Sequence, residues 1–119
     1  MTTPDAPAGT HLVAFTTAPT AEAARGLVST LVERRLIACG TVVPGAVSIY
    51  RWKGAVEEQD EALVILKTTA QQWPELAAAL PGLHSYEVPE LLAVPVVGGH
   101  PAYLRWVSDE TAVPGTRKE

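Results

Sequence analysis

Cysteine occurs once in the 119 residues, at Cys39. An intrachain disulfide is therefore excluded, and a lone thiol fits a reducing compartment. Charge is scarce too: Asp, Glu, Lys and Arg make up 18% of the chain, and the formal net charge is −4. Nucleic-acid binders gather Lys and Arg on one face. The nine basic residues here are scattered, with Arg34–Arg35 and Arg117–Lys118 the adjacent pairs. No apolar run approaches the ~20 residues needed to span a bilayer; the longest is Leu91–Gly99. Met1–Gly9 has neither a basic n-region nor an apolar h-region. No secretory signal is expected, and the cytoplasm is the expected location. Glycine-rich phosphate motifs, GxSxG and the zinc-finger spacing of Cys and His are missing. Their absence removes the nucleotide-binding and hydrolase motifs that a sequence can carry.

What the chain does have is apolar residues, at 47%. A chain of this length fits one domain and can bury roughly two-thirds of its unfolded surface. Pro, Thr and Ala crowd residues 1–9, and Pro114–Gly115 with three charges marks the other end. The expected organisation is a tail over 1–9, a domain over 10–110 and a tail over 111–119.

Hydrophobic period then divides the domain. His11–Thr17 suits a strand, ending at Ala18–Pro19. Thr20 opens a helix with Glu22 in its first turn, where a carboxylate complements the helix dipole. Ala24, Leu27, Val28, Leu31 and Val32 form its apolar stripe, and Arg34–Arg35 marks its end. Gly26 inside that helix costs ~1 kcal/mol relative to Ala, which a close packing contact would explain. Leu36–Val43 and Val47–Trp52 read as one long strand broken by Pro44–Gly45, an expected bulge or bend. Lys53–Gly54 turns the chain and Val56–Lys67 returns, making an antiparallel hairpin. Gln71–Leu80 reads as a helix closed by Pro81–Gly82, with Pro74 in its first turn. Glu90–Val97 is a further strand, and Pro101–Ser108 a short helix packing Tyr103, Leu104, Trp106 and Val107. The order β-α-β-β-α-β plus a terminal helix is the ferredoxin-like α+β arrangement, an antiparallel sheet with two helices on one face. The other face would carry Tyr50 and Trp52, too aromatic to stay in water, so self-association through the sheet is expected.

Several residues invite a chemical role. Cys39 lies in an apolar strand with no basic neighbour in sequence, and reads as a buried structural thiol. His84, Glu87 and Glu90 offer imidazole and carboxylate donors suited to copper, zinc or nickel. Pro81–Gly82 and Val88–Pro89 argue against a helix there, and on a strand His84 and Glu87 would point to opposite faces. Lys67, at a strand end, is either an anion site or the partner of Glu87 or Glu90. Tyr50, Trp52, Tyr86, Tyr103 and Trp106 suit either a ligand cleft or a subunit contact. No nucleophile–base pair can be read, so no catalytic reaction is expected.

Thr17-Ala-Pro19, Arg35–Cys39, Pro44-Gly45, Ser48–Trp52, Gly54, Glu57, Lys67–Thr69, His84, Tyr86–Glu90, Pro95 and Tyr103–Trp106 follow one another in a specific order. With these pieces, from about His11 to Ser108, the chain resembles the CutA-type divalent-cation tolerance proteins. The resemblance implies a homotrimer with hairpins reaching between subunits, Tyr50 and Trp52 among the contacts. It also implies a cytoplasmic role in the response to metal ions, with copper or another divalent cation bound and no cofactor required. His84 is the implied metal ligand, helped by Glu87 or Glu90. Thr16 and Leu83 stand where metal-binding members can offer a cysteine and a second histidine. The fold is also similar to that of the PII signalling proteins. That likeness implies a second reading, a sensor holding an anionic metabolite between subunits through Lys67, Tyr86, Glu87 and Trp106. A trimeric scaffold for a partner protein is a third. Neither nucleic acid nor membrane is an expected partner.

Overall fold

A computed structural model describes residue 7 and residues 9–112; most of the two expected tails lies outside them. Seven elements follow in order: β1 (His11–Ala18), α1 (Ala21–Glu33), β2 (Cys39–Trp52), β3 (Ala55–Thr69), α2 (Trp73–Leu83), β4 (Leu92–Pro95) and α3 (Pro101–Glu110). The strands form one antiparallel sheet in the order β2-β3-β1-β4, as the ferredoxin-like reading requires. No helix among the described residues is long and apolar enough to cross a membrane.

The boundaries of α1 come from local chemistry. Thr20 is the N-cap, its hydroxyl accepting the Ala23 amide at 3.0 Å, which satisfies one of the helix's unpaired donors. At the other end Arg35 takes a left-handed φ of 59°. The Arg35 amide donates to the Val32 carbonyl and the Leu36 amide to Leu31, the paired bonds of a Schellman cap. Arginine stands here where glycine is usual. The turn drops Leu36 and Ile37 into the core.

One face of the sheet is closed. Alternate residues of β1 and β3, among them Ala14, Ala18, Ala62, Val64 and Leu66, pack against Leu27 and Leu31 of α1 and Leu76 and Leu80 of α2. Glycine matters at one contact with this layer. A Cβ on Gly40 would lie 2.8 Å from Val28 Cγ1 and 3.1 Å from Leu66 Cδ2, so α1 rests directly on the β2 backbone. The contact expected at Gly26 is not made, because nothing lies within 4 Å of the place its Cβ would take.

The hairpin carries the expected bulge. Val43 pairs with Leu63 and Ala46 with Glu61, so β2 advances three residues while β3 advances two. Pro44 supplies no donor and Gly45 supplies a φ of 81°, as a bulge asks. The extra residue inverts the alternation of β2. Cys39, Thr41 and Val43 pair with Lys67, Ile65 and Leu63, whereas Ser48, Tyr50 and Trp52 pair with Gln59, Glu57 and Ala55. Residues paired in register share a face, so the bulge puts Tyr50 and Trp52 on the face away from the helices. At the tip, Lys53 and Gly54 both have positive φ, 50° and 85°, the turn that matches strand twist in two-residue hairpins.

Several boundaries differ from the sequence reading. Pro81 lies inside α2, which runs on to Leu83. Near a C-terminus a proline forfeits a single backbone bond, and its fixed φ fits the helix. The last strand is four residues instead of eight: Leu92–Pro95 pair with β1, and beyond them a single bond from the Val96 amide to the His11 carbonyl, at 2.9 Å, continues the contact. α3 extends to Glu110 and buries Val107, while Tyr103 and Trp106 remain 41% exposed.

Candidate functional site

Two stretches far apart in sequence meet on the open face. A groove of about 610 Å³ runs between the distal hairpin, through Ser48, Tyr50, Trp52 and Gln59, and the irregular segment Ser85–Glu90. Its floor includes Thr17 and Glu61.

The segment is held in place by side-chain bonds instead of regular structure. His84 Nε2 lies 2.6 Å from the Thr17 carbonyl, and Nδ1 accepts the Tyr86 amide at 3.0 Å. A carbonyl only accepts and an amide N–H only donates, so the partners select the neutral tautomer with its proton on Nε2. Tyr86 then packs against the imidazole, ring centroids 4.8 Å apart and planes tilted by 46°, and its hydroxyl donates to Glu61 Oε2 at 2.6 Å. Glu61 is 7% exposed. Burial first, and the hydrogen bond and negative charge of Glu61 after it, push the Tyr86 hydroxyl well above its ordinary titration range. Tyr86 is therefore a neutral donor to a buried carboxylate.

The sequence candidates separate on this frame. Tyr86, Glu87 and Glu90 line the groove, with Tyr50 and Trp52 on its opposite wall. His84 does not line it; its ring packs against Tyr86 with both nitrogens occupied. Thr16 is fully buried, and Leu83 packs against the core, so neither brings a donor to His84. Among the described residues no three of His, Cys, Asp and Glu converge as a metal site. Lys67 is elsewhere: it pairs with Val13 and Cys39 in the sheet, four residues and about 13 Å along β3 from Leu63. It does not meet Glu87 or Glu90. Trp106 is on α3, in tilted ring contact with Tyr103 at 5.6 Å between centroids. Cys39 is half-buried rather than buried, its sulfur 3.4 Å from the Tyr103 hydroxyl. Sequence reasoning missed Glu61 and Gln59. Glu61 stands where the charged run Glu57–Asp60 gives way to apolar Ala62, and nothing local distinguishes it from its neighbours.

The lining has one sign of charge. Glu61, Glu87 and Glu90 contribute carboxylates, and among the described residues no Lys, Arg or His is in the lining; the Lys53 ammonium lies 5.9 Å from the Trp52 ring centroid. An anion entering it would meet repulsion, while aromatic faces and carboxylates together favour cations.

Fold and site together define a ferredoxin-like protein with one sheet face closed by helices and the other carrying a hairpin-walled groove. The family model for the CutA1 divalent ion tolerance protein matches residues 12–110, and the chain belongs to this family. A divalent-cation tolerance protein CutA from Thermus thermophilus is 44% identical over 99 residues, covering 83% of this chain and 96% of that protein. Protein CutA of Mus musculus is 41% identical over 103 residues, covering 87% of this chain and 58% of the mouse protein. Among solved structures, CutA1 from Oryza sativa superimposes with a TM-score of 0.85 at 34% identity, over 88% of this chain and 96% of that one. The Thermus thermophilus structure gives 0.83 at 43% identity, over 86% and 99%.

Proposed function

We propose that this divalent-cation tolerance protein acts as a homotrimer in the cytoplasm, without a catalytic reaction of its own, in the response to metal ions. The observation that carries the assembly is the distal hairpin. Val47, Ile49 and Val56 are 55%, 66% and 65% exposed on one side, and Tyr50 and Trp52 are exposed on the other. A hairpin apolar on both sides is marginal in water alone. Leu92 and Val94 of edge strand β4 extend the apolar surface at 61% and 48%. Association through these strands removes that surface from water and occupies both sheet edges. Sedimentation equilibrium at micromolar concentration should give a species of three times the 12.6 kDa chain; a species of single-chain mass removes the proposal.

Copper is the finer reading. His84 offers copper no vacant nitrogen, so binding through Nδ1 requires displacing the Tyr86 amide. Glu87 and Glu90 are the carboxylates at hand. Calorimetric titration with copper should show a saturable heat that His84→Ala abolishes. Equal heats in both proteins would take His84 out of the site.

A further inference from the structure

Glu61 lines the acidic groove with 7% of its surface exposed. Its Oε2 accepts the Tyr86 hydroxyl at 2.6 Å. Among the described residues Oε1 accepts no hydrogen bond, and no cation pairs with this carboxylate. Every fully buried side-chain oxygen in those residues has a partner, so Oε1 is not sealed in the core. What surface Glu61 keeps opens into the groove. A carboxylate so far out of water gains strongly from a donor that also carries positive charge.

The walls suit a donor that brings an apolar body. Tyr50 and Trp52 leave 39% and 44% of their surfaces open, and two residues along a strand is about 7 Å. Tyr86 lies on the opposite wall. These tyrosine rings are tied in place before any ligand arrives. Tyr50 donates to Gln59 at 2.8 Å, and Tyr86 is held by Glu61 and packed on His84. Walls fixed in advance lower the ordering cost of binding. Aromatic faces attract ammonium groups, as Trp52 does with Lys53. Two further carboxylates, Glu87 and Glu90, stand in the lining on the solvent side, both exposed. A compact divalent ion would use the carboxylates and leave the rings idle. A quaternary ammonium would use the rings and offer Oε1 no N–H. A chain of ammonium groups separated by methylenes uses both, and a groove of about 610 Å³ has room for one.

We propose that the groove binds a linear aliphatic polyamine, one ammonium on Glu61 Oε1, the methylene chain along Tyr50, Trp52 and Tyr86, and a second ammonium on Glu87 or Glu90. His84 takes no part, so the copper titration decides the metal reading separately. The probe is 1,4-diaminobutane at pH 7, where both amines are protonated. It is titrated into the full-length protein and followed by amide and indole NMR shifts. Magnesium chloride at matched ionic strength supplies the same charge without the chain. Saturable shifts should gather at Trp52, Gln59, Tyr86 and Glu87. Glu61→Gln keeps the shape and an acceptor for Tyr86. It should weaken the diamine by about tenfold or more, the scale of a lost charged hydrogen bond. Trp52→Leu, at an exposed position that the fold tolerates, should weaken it about two- to fivefold, the scale of a surface cation–π contact. Magnesium binding as tightly as the diamine would overturn the proposal. So would a folded Glu61→Gln or a Trp52→Leu that binds the diamine like wild type. The absence of any saturable shift, as when a neighbouring chain's side chains fill the groove, would overturn it too.

Discussion

The two halves of the β2–β3 hairpin are built on one continuous ladder and live in different solvents. The proximal half, Cys39–Val43 with Leu63–Thr69, has α1 against it and places Val64 and Leu66 at 0% exposure. Past the bulge, residues 47 and 49–60 are exposed on both faces. Backbone pairing is the same in the two halves, so hydrogen bonds do not explain which one is stable alone. Side-chain burial does. The proximal half is specified within the chain. The distal half carries Ile49, Trp52 and Val56, for which the described residues supply no cover, and so points outward to a neighbour.

The contrast is open to direct attack. Leu66→Ala should lower stability by about 2–5 kcal/mol, the cost of a cavity in a core that cannot collapse. Ile49→Ala, tested at a dilution where chains are separate, should cost less than about 0.5 kcal/mol. Denaturant midpoints measure both. Comparable losses at that dilution would mean the distal half is packed by its own chain, and the contrast would be broken.

Glycine sharpens the same comparison at lower amplitude. Gly40→Ala pushes a methyl group into Val28 and Leu66 of the proximal layer, and overpacking of that kind costs about 1–3 kcal/mol. Gly26→Ala fills open space on the exposed side of α1 and should stabilise by about 0.5–1 kcal/mol through helix propensity. Opposite signs at the two positions in thermal unfolding would confirm which layer is closely packed. A neutral Gly40→Ala would show that α1 can lift off β2.

How far the sequence could be read follows from the range of each interaction. Thr20 as a cap, Pro44–Gly45 as a bulge and Lys53–Gly54 as a turn were legible because each is decided by the residue itself and its neighbours. The open face was legible too, since two helices cannot cover two faces. Pro81 misleads because helix breaking depends on how many bonds remain beyond it. Gly26 misleads because a glycine's reason is visible only in what its missing Cβ would touch. Within the site, Ser48–Trp52 and Tyr86–Glu90 stood out as stretches, and their meeting in one groove did not. His84 has the composition of a ligand, yet its bond is to the Thr17 carbonyl, 67 positions away, and any residue can supply a carbonyl. Lys67 seemed to have Glu87 and Glu90 for company, and the register of β3 with β1 sets it at the far end.

Two tyrosines bracket the proximal half, and alkaline pH tests both ends of it with the smallest effect. Tyr103 at the Cys39 end is pushed up to about 12, first by its hydrogen bond to Cys39, then by burial and the charge of Cys39. Tyr86 at the Glu61 end is raised as well, chiefly by burial. In the unfolded chain both return to about 10. Below that pH their contribution is complete. Above it the unfolded chain gives up protons that the folded chain retains, so stability falls as pH rises from about 10 towards 12. Tyr103→Phe should make this fall shallower and leave the curve below pH 9 parallel to wild type. Tyr103 is 41% exposed, so solvent screening keeps its share well under that of Leu66. Tyr86→Phe should flatten the curve further, and it also removes the donor from buried Glu61, lowering stability at every pH above the carboxylate range. Urea midpoints between pH 8 and 12 separate the two variants. If Tyr103→Phe leaves the alkaline slope unchanged, the Cys39 contact does not hold α3 on the sheet, and the proximal half is pinned at the Glu61 end alone.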